Sequence, residues 1–515
     1  MNMQITTARR RKLLLLSGFA LLLAAVQILH LPQTLSFKTF AFGEPGANLN
    51  VVYLIHHGMH PNVDFGHPYG LLPFLFSDLW FRVAGLTPAA YWAGIFLIEL
   101  AMCAALADFA VAAELGVLPI LLLFVSFPIY IWVDYFNFAH AVEALCLMVA
   151  VTAHLKGRYG LALAAVGAAV LARPALGYVY GFVLVCIVMW KIFRAHSLKP
   201  SVFVLPACTA VCLGALLAWR FGVASLMRTA VPLTGVATYR ALGFGFFSNG
   251  MAFWLPSPFR LRFYLDVPGF WLLVTGSLLL LGPIAIFRVR DAGSDNLKER
   301  KAEVLGAGCS IVFVWIFFAF SHQYIGSWIL YLWLAVWGVS LLPDFFPKYA
   351  TVLVLLGLIA LNSDRHMIQG SLQEWASSKT SSIYPHTMSQ GKDDQQMTEI
   401  LSAVQGRRTG VLTVAGAMPL LHDGLGEPLT EFYVPGIVLP GDELRMKSAV
   451  AAADFVIVPT PPWYRADSEY FPWADFLDGR NNYRVILLNP SGFVLARKSP
   501  SADKPDAGKQ PQSAP

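Results

Sequence analysis

The sequence predicts an α-helical, polytopic membrane protein that carries a small α/β domain outside the membrane. The chain has 515 residues, of which 57% are hydrophobic and 13% are charged, and its mean hydropathy is +0.58. Soluble domains carry about twice this charged fraction, roughly 25%. A cytosolic enzyme, a disordered scaffold and a disulfide-stapled secreted module are therefore excluded. Long apolar runs recur up to residue 364, after which Gly, Pro, Asp and Glu become frequent.

Apolar runs of roughly 17 to 25 residues are long enough to cross a bilayer as helices, and we find about eleven of them. Their approximate limits are 12–31, 89–112, 117–133, 138–155, 159–172, 175–193, 201–219, 268–287, 303–320, 324–342 and 348–363. The fifth run is short and meets the sixth at Arg173-Pro174. Basic residues 9–12 precede the first run, as in a signal peptide, but the many later spans favour a retained helix.

The basic residues predict the orientation, because Lys and Arg are enriched in cytoplasmic loops. With a cytoplasmic N-terminus, the inside connections contain Lys156, Arg158, Lys191, Arg194, Lys199, Arg288, Arg290, Lys298, Arg300, Lys301 and Lys348. An odd number of spans then places two long loops, 32–88 and 220–267, outside the membrane together with everything after residue 364. The default location is a bacterial inner membrane, with the C-terminal domain in the periplasm.

The chain is expected to divide into a membrane domain, residues 1–364, an extracytoplasmic α/β domain, residues 365–499, and a disordered tail, residues 500–515. Within the second domain, β-rich runs at 411–415, 455–459 and 484–488 predict buried strands, and 441–453 predicts a helix. This domain is large enough to own a core.

Residues that can carry chemistry concentrate in the first outside loop. Glu44 follows the first span, and a histidine-rich stretch that contains Asp64 occupies residues 56–70. A carboxylate at a membrane interface is partly desolvated, which can raise its pKa and make it a better base. Glu44 and Asp64 are therefore candidate bases; the alternative is that they cap interfacial helices or lie in solvent.

The same stretch contains candidate ligands for a divalent metal. Its histidines are His56, His57, His60 and His67, and Asp64 lies among them. Their spacings match no standard metal site, so a metal-free protein is the favoured reading.

One pattern in this loop is typical of a known superfamily. An acidic residue follows the first helix, and an interfacial helix ends at residues 81–85. Between them stand Gly58, Pro61, Asp64, Phe65, His67 and Pro68. This arrangement resembles the GT-C superfamily of membrane glycosyltransferases, in particular the group of dolichyl-phosphate-mannose protein mannosyltransferases and aminoarabinose transferases. The resemblance covers nearly the whole chain as an architecture but rests on few residues.

The resemblance implies that an acceptor hydroxyl attacks the anomeric carbon of a sugar while a polyprenyl phosphate departs. One carboxylate base suffices for such a reaction, and the leaving phosphate needs cations, for which arginine is well suited. By this analogy the base is Asp64 or Glu44, and Asp134 orients the acceptor or the base, unless it caps the next helix. The implied donor-binding residues are His67, Arg173, Arg240, Arg260, Arg262, His322 and Tyr324. For each arginine, the alternative is a snorkelling side chain that pairs with lipid headgroups.

The function expected from these features is transfer of a sugar from a polyprenyl-phosphate donor to an extracytoplasmic glycolipid, polysaccharide or protein. Membrane lipids are further partners, nucleic acid is not, and no cofactor is required. A transporter or flippase of a lipid-linked sugar is the first alternative, and Glu99, Asp108 and Glu143 would then line its path. A non-catalytic envelope-assembly protein is the second, and it would use the outside loops only as docking surfaces.

Overall fold

The computed structural model describes residues 2–36, 40, 44–67, 69–112, 115, 117, 120, 124, 138–173, 176–193, 196–230, 364–404, 411–413, 444, 448–449, 451–459 and 483–497. The protein is mostly helical within these residues and has a small sheet region near the C-terminus. The runs at 268–363, most of 117–133 and most of the loop 220–267 lie outside the described residues.

The described helices before the gap at residue 231 follow the predicted order. They are α1 (Asn2–Leu29), α2 (Leu31–Thr34), α3 (Glu44–His56), α4 (Leu72–Ala84), α5 (Pro88–Ala112), α6 (Phe138–Leu155), α7 (Tyr159–Ala172), α8 (Leu176–Phe193), α9 (Val204–Phe221) and α10 (Val223–Ala230). A 3-10 turn, Pro200–Phe203, leads into α9. The predicted break at Arg173-Pro174 is confirmed, because α7 ends at Ala172 and α8 begins at Leu176.

Four segments of the described residues are long and apolar enough to cross a membrane, namely Arg9–Leu29, Pro88–Ala112, Phe138–Leu155 and Pro200–Phe221. Two shorter apolar helices, Tyr159–Ala172 and Tyr180–Phe193, pack beside them. These helices coincide with six of the predicted runs and are compatible with a multi-pass membrane protein. Their shared core contains buried aromatic rings, and Phe138 and Tyr91 meet in a T-shaped arrangement with 4.9 Å between ring centroids.

Ionic contacts join three helix ends on one side of the bundle. Lys12, near the start of the apolar segment Arg9–Leu29 of α1, lies 2.5 Å from Asp108, near the end of α5. Lys156, just after α6, pairs with the other oxygen of the same carboxylate. We call this side the basic face; it carries basic residues that the orientation rule assigns to the cytoplasm. We call the other side of the bundle the opposite face. Helices α1, α7 and α9 therefore end there, and α5 and α6 begin there.

The first predicted outside loop is largely helical and packs on this opposite face. Its helix α3 is buried along most of its length, with Val51, Leu54 and Ile55 in contact with a cluster that also contains Leu217 of α9. Helix α4 is amphipathic and buries Phe74, Asp78 and Phe81, which recur at helical spacing, while Leu79 and Val83 are exposed. An interfacial position suits such a helix.

The chain from residue 364 onwards, which we call the second part, contains α11 (Asp364–Ser377), α12 (Gly391–Ala403) and two sheets. Strands β1 (Lys379–Thr380) and β2 (Met388–Ser389) form an antiparallel ribbon. Strands β3 (Val411–Thr413), β4 (Phe455–Pro459), β5 (Tyr483–Asn489) and β6 (Gly492–Arg497) form a sheet in the order β3-β4-β6-β5. Among these four described strands, β3 and β4 pair in parallel, and the other neighbours pair antiparallel.

The strands predicted at 411–415, 455–459 and 484–488 are observed as β3, β4 and β5, although residues 414–415 lie outside the described residues. The prediction that the third strand is buried is wrong, because Val485 is 58% and Leu488 is 73% exposed. The described residues of the predicted helix 441–453 are helical at 444, 448–449 and 451–452. Helix α12 covers one side of the sheet, and its buried Met397 and Ile400 contact Ile457 and Val494.

The second part docks on the end of α1. The hydroxyl of Ser371 lies 2.7 Å from Nδ1 of His30, and the indole N–H of Trp375 donates to the carbonyl of Ile28 at 2.8 Å. The backbone N–H of Met388 donates to the carbonyl of Leu35 at 2.7 Å. Burial in this contact lowers the pKa of His30 from 6.5 to about 4, although Gln33 opposes the shift.

We expect this docking contact to weaken in mild acid. The pKa of His30 is lower in the docked state than its ordinary value, so the docked state binds fewer protons between pH 6.5 and 4. Docking should therefore weaken as the pH falls through this window and level off below it. At pH 5.5 the contribution of His30 alone is about 1.4 kcal/mol, or about tenfold in the docking equilibrium. Glu374 acts in the opposite sense, because burial raises its pKa despite a hydrogen bond with Gln33.

Hydrogen–deuterium exchange of α11, corrected for intrinsic rates, measures this equilibrium between pH 7 and 5.5. The His30→Gln variant is the control, since its side chain is neutral throughout the range. An equal loss of protection in the variant and the wild type would show that His30 is not responsible.

Candidate functional site

Asp64 lies in a tight turn on the opposite face of the bundle. Its Oδ2 accepts a hydrogen bond from the backbone N–H of His60 at 2.7 Å and lies 3.3 Å from Nδ1 of the same residue. The side chain is 41% exposed. Asn62, inside the turn, adopts a positive φ of 60°, which Asn tolerates better than most residues. The turn therefore presents one solvent-accessible carboxylate with a histidine beside it.

Helix α10 holds this turn in place. The hydroxyl of Ser225 donates to the carbonyl of Pro61 at 2.5 Å, and the Arg228 guanidinium donates to the carbonyl of Asn62 at 2.9 Å. The Asn62 amide donates to Thr229 Oγ1 at 3.0 Å. Gly222, with a φ of 85°, separates α9 from α10 and allows α10 to turn towards these residues. The position of Asp64 is thus set by a helix that is more than 150 residues later in the chain.

A second carboxylate on this face, Asp78 of α4, stands among basic groups. Arg220 Nε donates to its Oδ2 at 2.9 Å, Arg82 Nε donates to its Oδ1 at 3.2 Å, and His56 Nε2 lies 3.0 Å from Oδ1. The Asp78 side chain is only 9% exposed, whereas that of Arg82 is 52% exposed. We call these four residues the Asp78 cluster. It joins the ends of α3 and α9 to the buried face of α4.

The electrostatics of the Asp78 cluster favour an ionised carboxylate. Burial by itself raises the pKa of Asp78, but hydrogen bonds and charges from Arg220 and Arg82 outweigh it and hold the pKa below its ordinary value. Burial also lowers the pKa of His56, against the attraction of Asp78. With His56 neutral, one carboxylate faces two guanidinium groups, and the cluster has a net charge of +1.

Sequence reasoning missed Asp78 because an acidic residue on a short amphipathic helix usually faces solvent. The signal was present in the spacing, since residues 74, 78 and 81 follow one stripe of the helix. Arg220 is the first residue of the second predicted outside loop, 220–267, but its pairing with Asp78 was not predicted.

Arg173 was predicted from the resemblance, and the structure places it at the end of α7, nearly buried. Its NH1 lies 3.4 Å from Oε2 of Glu143 in α6, and the two side chains are 8% and 1% exposed. Its guanidinium also lies over the ring of Tyr69, 5.7 Å from the centroid. The same ring meets His140 edge to face at 5.3 Å. Arg173 therefore links α6 and α7 to the loop that precedes α4.

His67, another predicted site residue, is buried in that loop. Its backbone N–H donates to Oδ1 of Asn62 at 2.9 Å, and its ring packs against Phe74 at 4.5 Å and Tyr69 at 5.3 Å. The loop then reaches Gly70, whose N–H donates to the carbonyl of Ala172 at 2.9 Å. His67, Tyr69 and Arg173 are thus brought together where this loop contacts the end of α7.

The histidines considered as metal ligands have separate partners. His56 lies against Asp78, His57 Nδ1 lies 2.8 Å from the carbonyl of Tyr53, His60 lies against Asp64, and His67 packs on Phe74. Within the described ranges, no group of three or more His, Cys, Asp or Glu residues is arranged to hold a metal ion.

The remaining predicted site residues lie outside what the structure describes. Glu44 is the first residue of α3, but the placement of its side chain is not described. The others are Asp134, Arg240, Arg260, Arg262, His322 and Tyr324. Their roles stay predictions.

Comparison of the sequence with models of protein families finds no match, and comparison with curated proteins finds no similar sequence.

Proposed function

We propose that the protein is a membrane glycosyltransferase that moves a sugar from a polyprenyl-phosphate donor to an extracytoplasmic acceptor, a glycolipid, polysaccharide or protein. The chain would cross a bacterial inner membrane about eleven times, with its N-terminus in the cytoplasm. The basic face would then be cytoplasmic, and the opposite face periplasmic.

The observation that supports this proposal best is the placement of arginines on the opposite face. Arg82 and Arg220 pair with Asp78, which lies on the buried face of the interfacial helix α4. Arg173 lies at the end of α7. Positive residues are usually depleted from outside-facing segments. A lipid phosphate that leaves a sugar requires cations at the membrane surface, and arginine binds its oxygens in pairs. Arg82, which is half exposed, is the member of the Asp78 cluster best placed to contact such a phosphate.

Asp64 suits the role of base better than Asp78 does. Asp78 accepts hydrogen bonds from two arginines, which lower its pKa and occupy both its oxygens. Both contacts that the described residues make with the Asp64 side chain use Oδ2, so Oδ1 can accept a proton from an acceptor hydroxyl. In this proposal Asp78 positions the arginines and Asp64 removes the proton. The reaction needs no metal or other cofactor, and Glu44 and Asp134 keep their proposed roles as alternative base and orienting acid.

The contacts of the acidic residues in the spanning helices do not favour a transporter. Glu99 accepts a hydrogen bond from Gln27 at 2.7 Å, Asp108 pairs with two lysines, and Glu143 pairs with Arg173. Each of these three acids therefore joins neighbouring helices and has a partner in the described part of the chain. A transport path would need charged groups that exchange partners with a passing substrate.

We expect Asp64→Asn to lower the rate of sugar transfer by about 10² to 10⁴-fold, the usual contribution of a general base. Asparagine keeps an oxygen that can accept the hydrogen bond from the His60 N–H, so the turn should be retained. The rate is measured as the amount of the sugar-bearing product per unit of membrane-inserted protein, by mass spectrometry of envelope glycans.

Asp64→Ala is the matched control, because it removes both the base and the hydrogen-bond acceptor. If Asp64 is the base, the Asn and Ala variants are equally inactive while the Asn variant keeps the melting temperature of the wild type. An active Asn variant beside an impaired Ala variant would show that Asp64 only stabilises the turn.

A further inference from the structure

A polar cleft separates the end of α1 and α2 from the second part of the protein. Its volume is about 300 Å³, at the lower end of the range of small-molecule sites, about 300–1,000 Å³. It is lined on one side by Pro32, Gln33 and Ser36, and the other side includes Glu374, Met388 and Asp393. A volume of this size suits one small polar ring.

Hydrogen bonds hold the walls of the cleft, and one of them links Gln33 on one wall to Glu374 on the other. The β2 strand is tied to the end of α2 through Met388 and Leu35. Behind β2, the buried carboxylate of Asp394 accepts hydrogen bonds from the hydroxyls of Ser381 at 2.9 Å and Ser382 at 3.0 Å. The cleft therefore has walls that both parts of the protein position before any ligand binds.

The polar groups of the lining determine what the cleft can bind. Three hydroxyls and two side-chain amides line the cleft, from Ser36, Ser378, Ser389, Gln33 and Gln390. The Ser378 hydroxyl already donates to the carbonyl of Trp375, and Gln33 already bonds Glu374. Glu374 and Asp393 supply two carboxylates, and none of the described lining residues is basic. Asp393 and Asp394 also occupy the first turn of α12, where their negative charges interact favourably with the positive end of the helix dipole. This chemistry disfavours phosphates and other anions and favours a ring with several hydroxyls, more so if it carries an amine.

We propose that this cleft binds one sugar ring, neutral or amine-bearing, of the acceptor glycan. Glu374 and Asp393 accept hydrogen bonds from its hydroxyl or ammonium groups, while Pro32 and Met388 contact its apolar edge. The assignment of the ring to an acceptor rests on the proposed glycosyltransferase function. The sugar-binding property does not.

Saturation-transfer NMR on the full-length protein in detergent micelles tests the cleft with four probes: glucose, glucosamine, glucose 6-phosphate and ethanolamine. We expect glucosamine to bind most tightly, glucose more weakly, and glucose 6-phosphate and ethanolamine not at all. Asp393→Asn and Glu374→Gln should each weaken glucosamine binding about tenfold, the effect of losing one charge-assisted hydrogen bond. Glu399→Gln, on α12 but outside the cleft lining, should leave it unchanged.

Three results would overturn the inference: equal binding of glucose 6-phosphate, ethanolamine binding as tight as that of glucosamine, or binding that the two cleft variants leave unchanged. The measurement needs no transfer reaction and is therefore independent of the proposed activity. Binding without any transfer would keep the cleft as a sugar site and reject the enzyme. Transfer without binding would reject the cleft.

Discussion

Gly70→Ala is expected to detach the first outside loop from the end of α7 and to cost about 3 kcal/mol or more of stability. A Cβ atom at this position would lie 2.6 Å from the carbonyl carbon of Leu171 and 2.7 Å from that of Ala172. Both are backbone atoms, so no side chain can rotate away to relieve the clash. Since the loop carries His67 and Tyr69 and contacts Arg173, sugar transfer should be lost as well.

The stability of this variant is measured by thermal unfolding of the detergent-extracted protein, followed by size-exclusion chromatography. Gly167→Ala in α7 is the matched control, because a Cβ there meets nothing within 4 Å. Alanine has the higher helix propensity, so the control should be neutral or gain up to about 1 kcal/mol. A Gly70→Ala protein that melts with the wild type would show that the loop does not pack on α7 in this way.

Asp78→Asn should destabilise the protein by about 3 kcal/mol, since it leaves the half-buried Arg220 without its compensating charge. Arg82 contributes less because its side chain is 52% exposed and solvent screens the pair. Asp64→Asn changes an exposed carboxylate on the same face and should cost no more than about 0.5 kcal/mol. Unfolding in denaturant, followed by circular dichroism, compares the two variants.

A double-mutant cycle separates the Asp78–Arg220 interaction from other effects of the substitution. Arg220→Gln removes the main partner, and the double variant should be about 1 to 2 kcal/mol more stable than the sum of the single changes predicts. Additive losses would mean that the two side chains do not interact in the membrane-embedded protein.

The sequence was sufficient to predict the apolar helices that lie within the described residues. Hydropathy and length located α5, α6 and α7 within one residue of their observed limits, because a membrane-spanning helix must satisfy its backbone hydrogen bonds within itself. The same argument located the break at Arg173. In the C-terminal part, three β-rich runs identified three strands, but β6 and α12 were not predicted, because their sequences are short or polar and lack a strong periodic pattern.

The candidate site was less predictable, because its geometry depends on contacts between distant segments. The turn that carries Asp64 is positioned by Ser225, Arg228 and Thr229, and Asp78 finds its main partner in Arg220, far along the chain. Hydropathy contains no information about such pairs. The position of Asp78 on the buried face of α4 could have been predicted from the helical spacing of residues 74, 78 and 81.

The central claim is that the protein cleaves a lipid-phosphate sugar on the periplasmic side of the membrane. This claim is tested most directly in proteoliposomes. These contain the purified protein, isotope-labelled polyprenyl-phosphate sugars and a glycolipid extract from cells that lack the protein. We expect one labelled sugar to appear in the extract together with an equal amount of free polyprenyl phosphate, at a rate that Asp64→Asn sharply reduces. A donor that stays intact would contradict the proposed function. A donor that moves to the other leaflet without being cleaved would contradict it too and would favour a transporter.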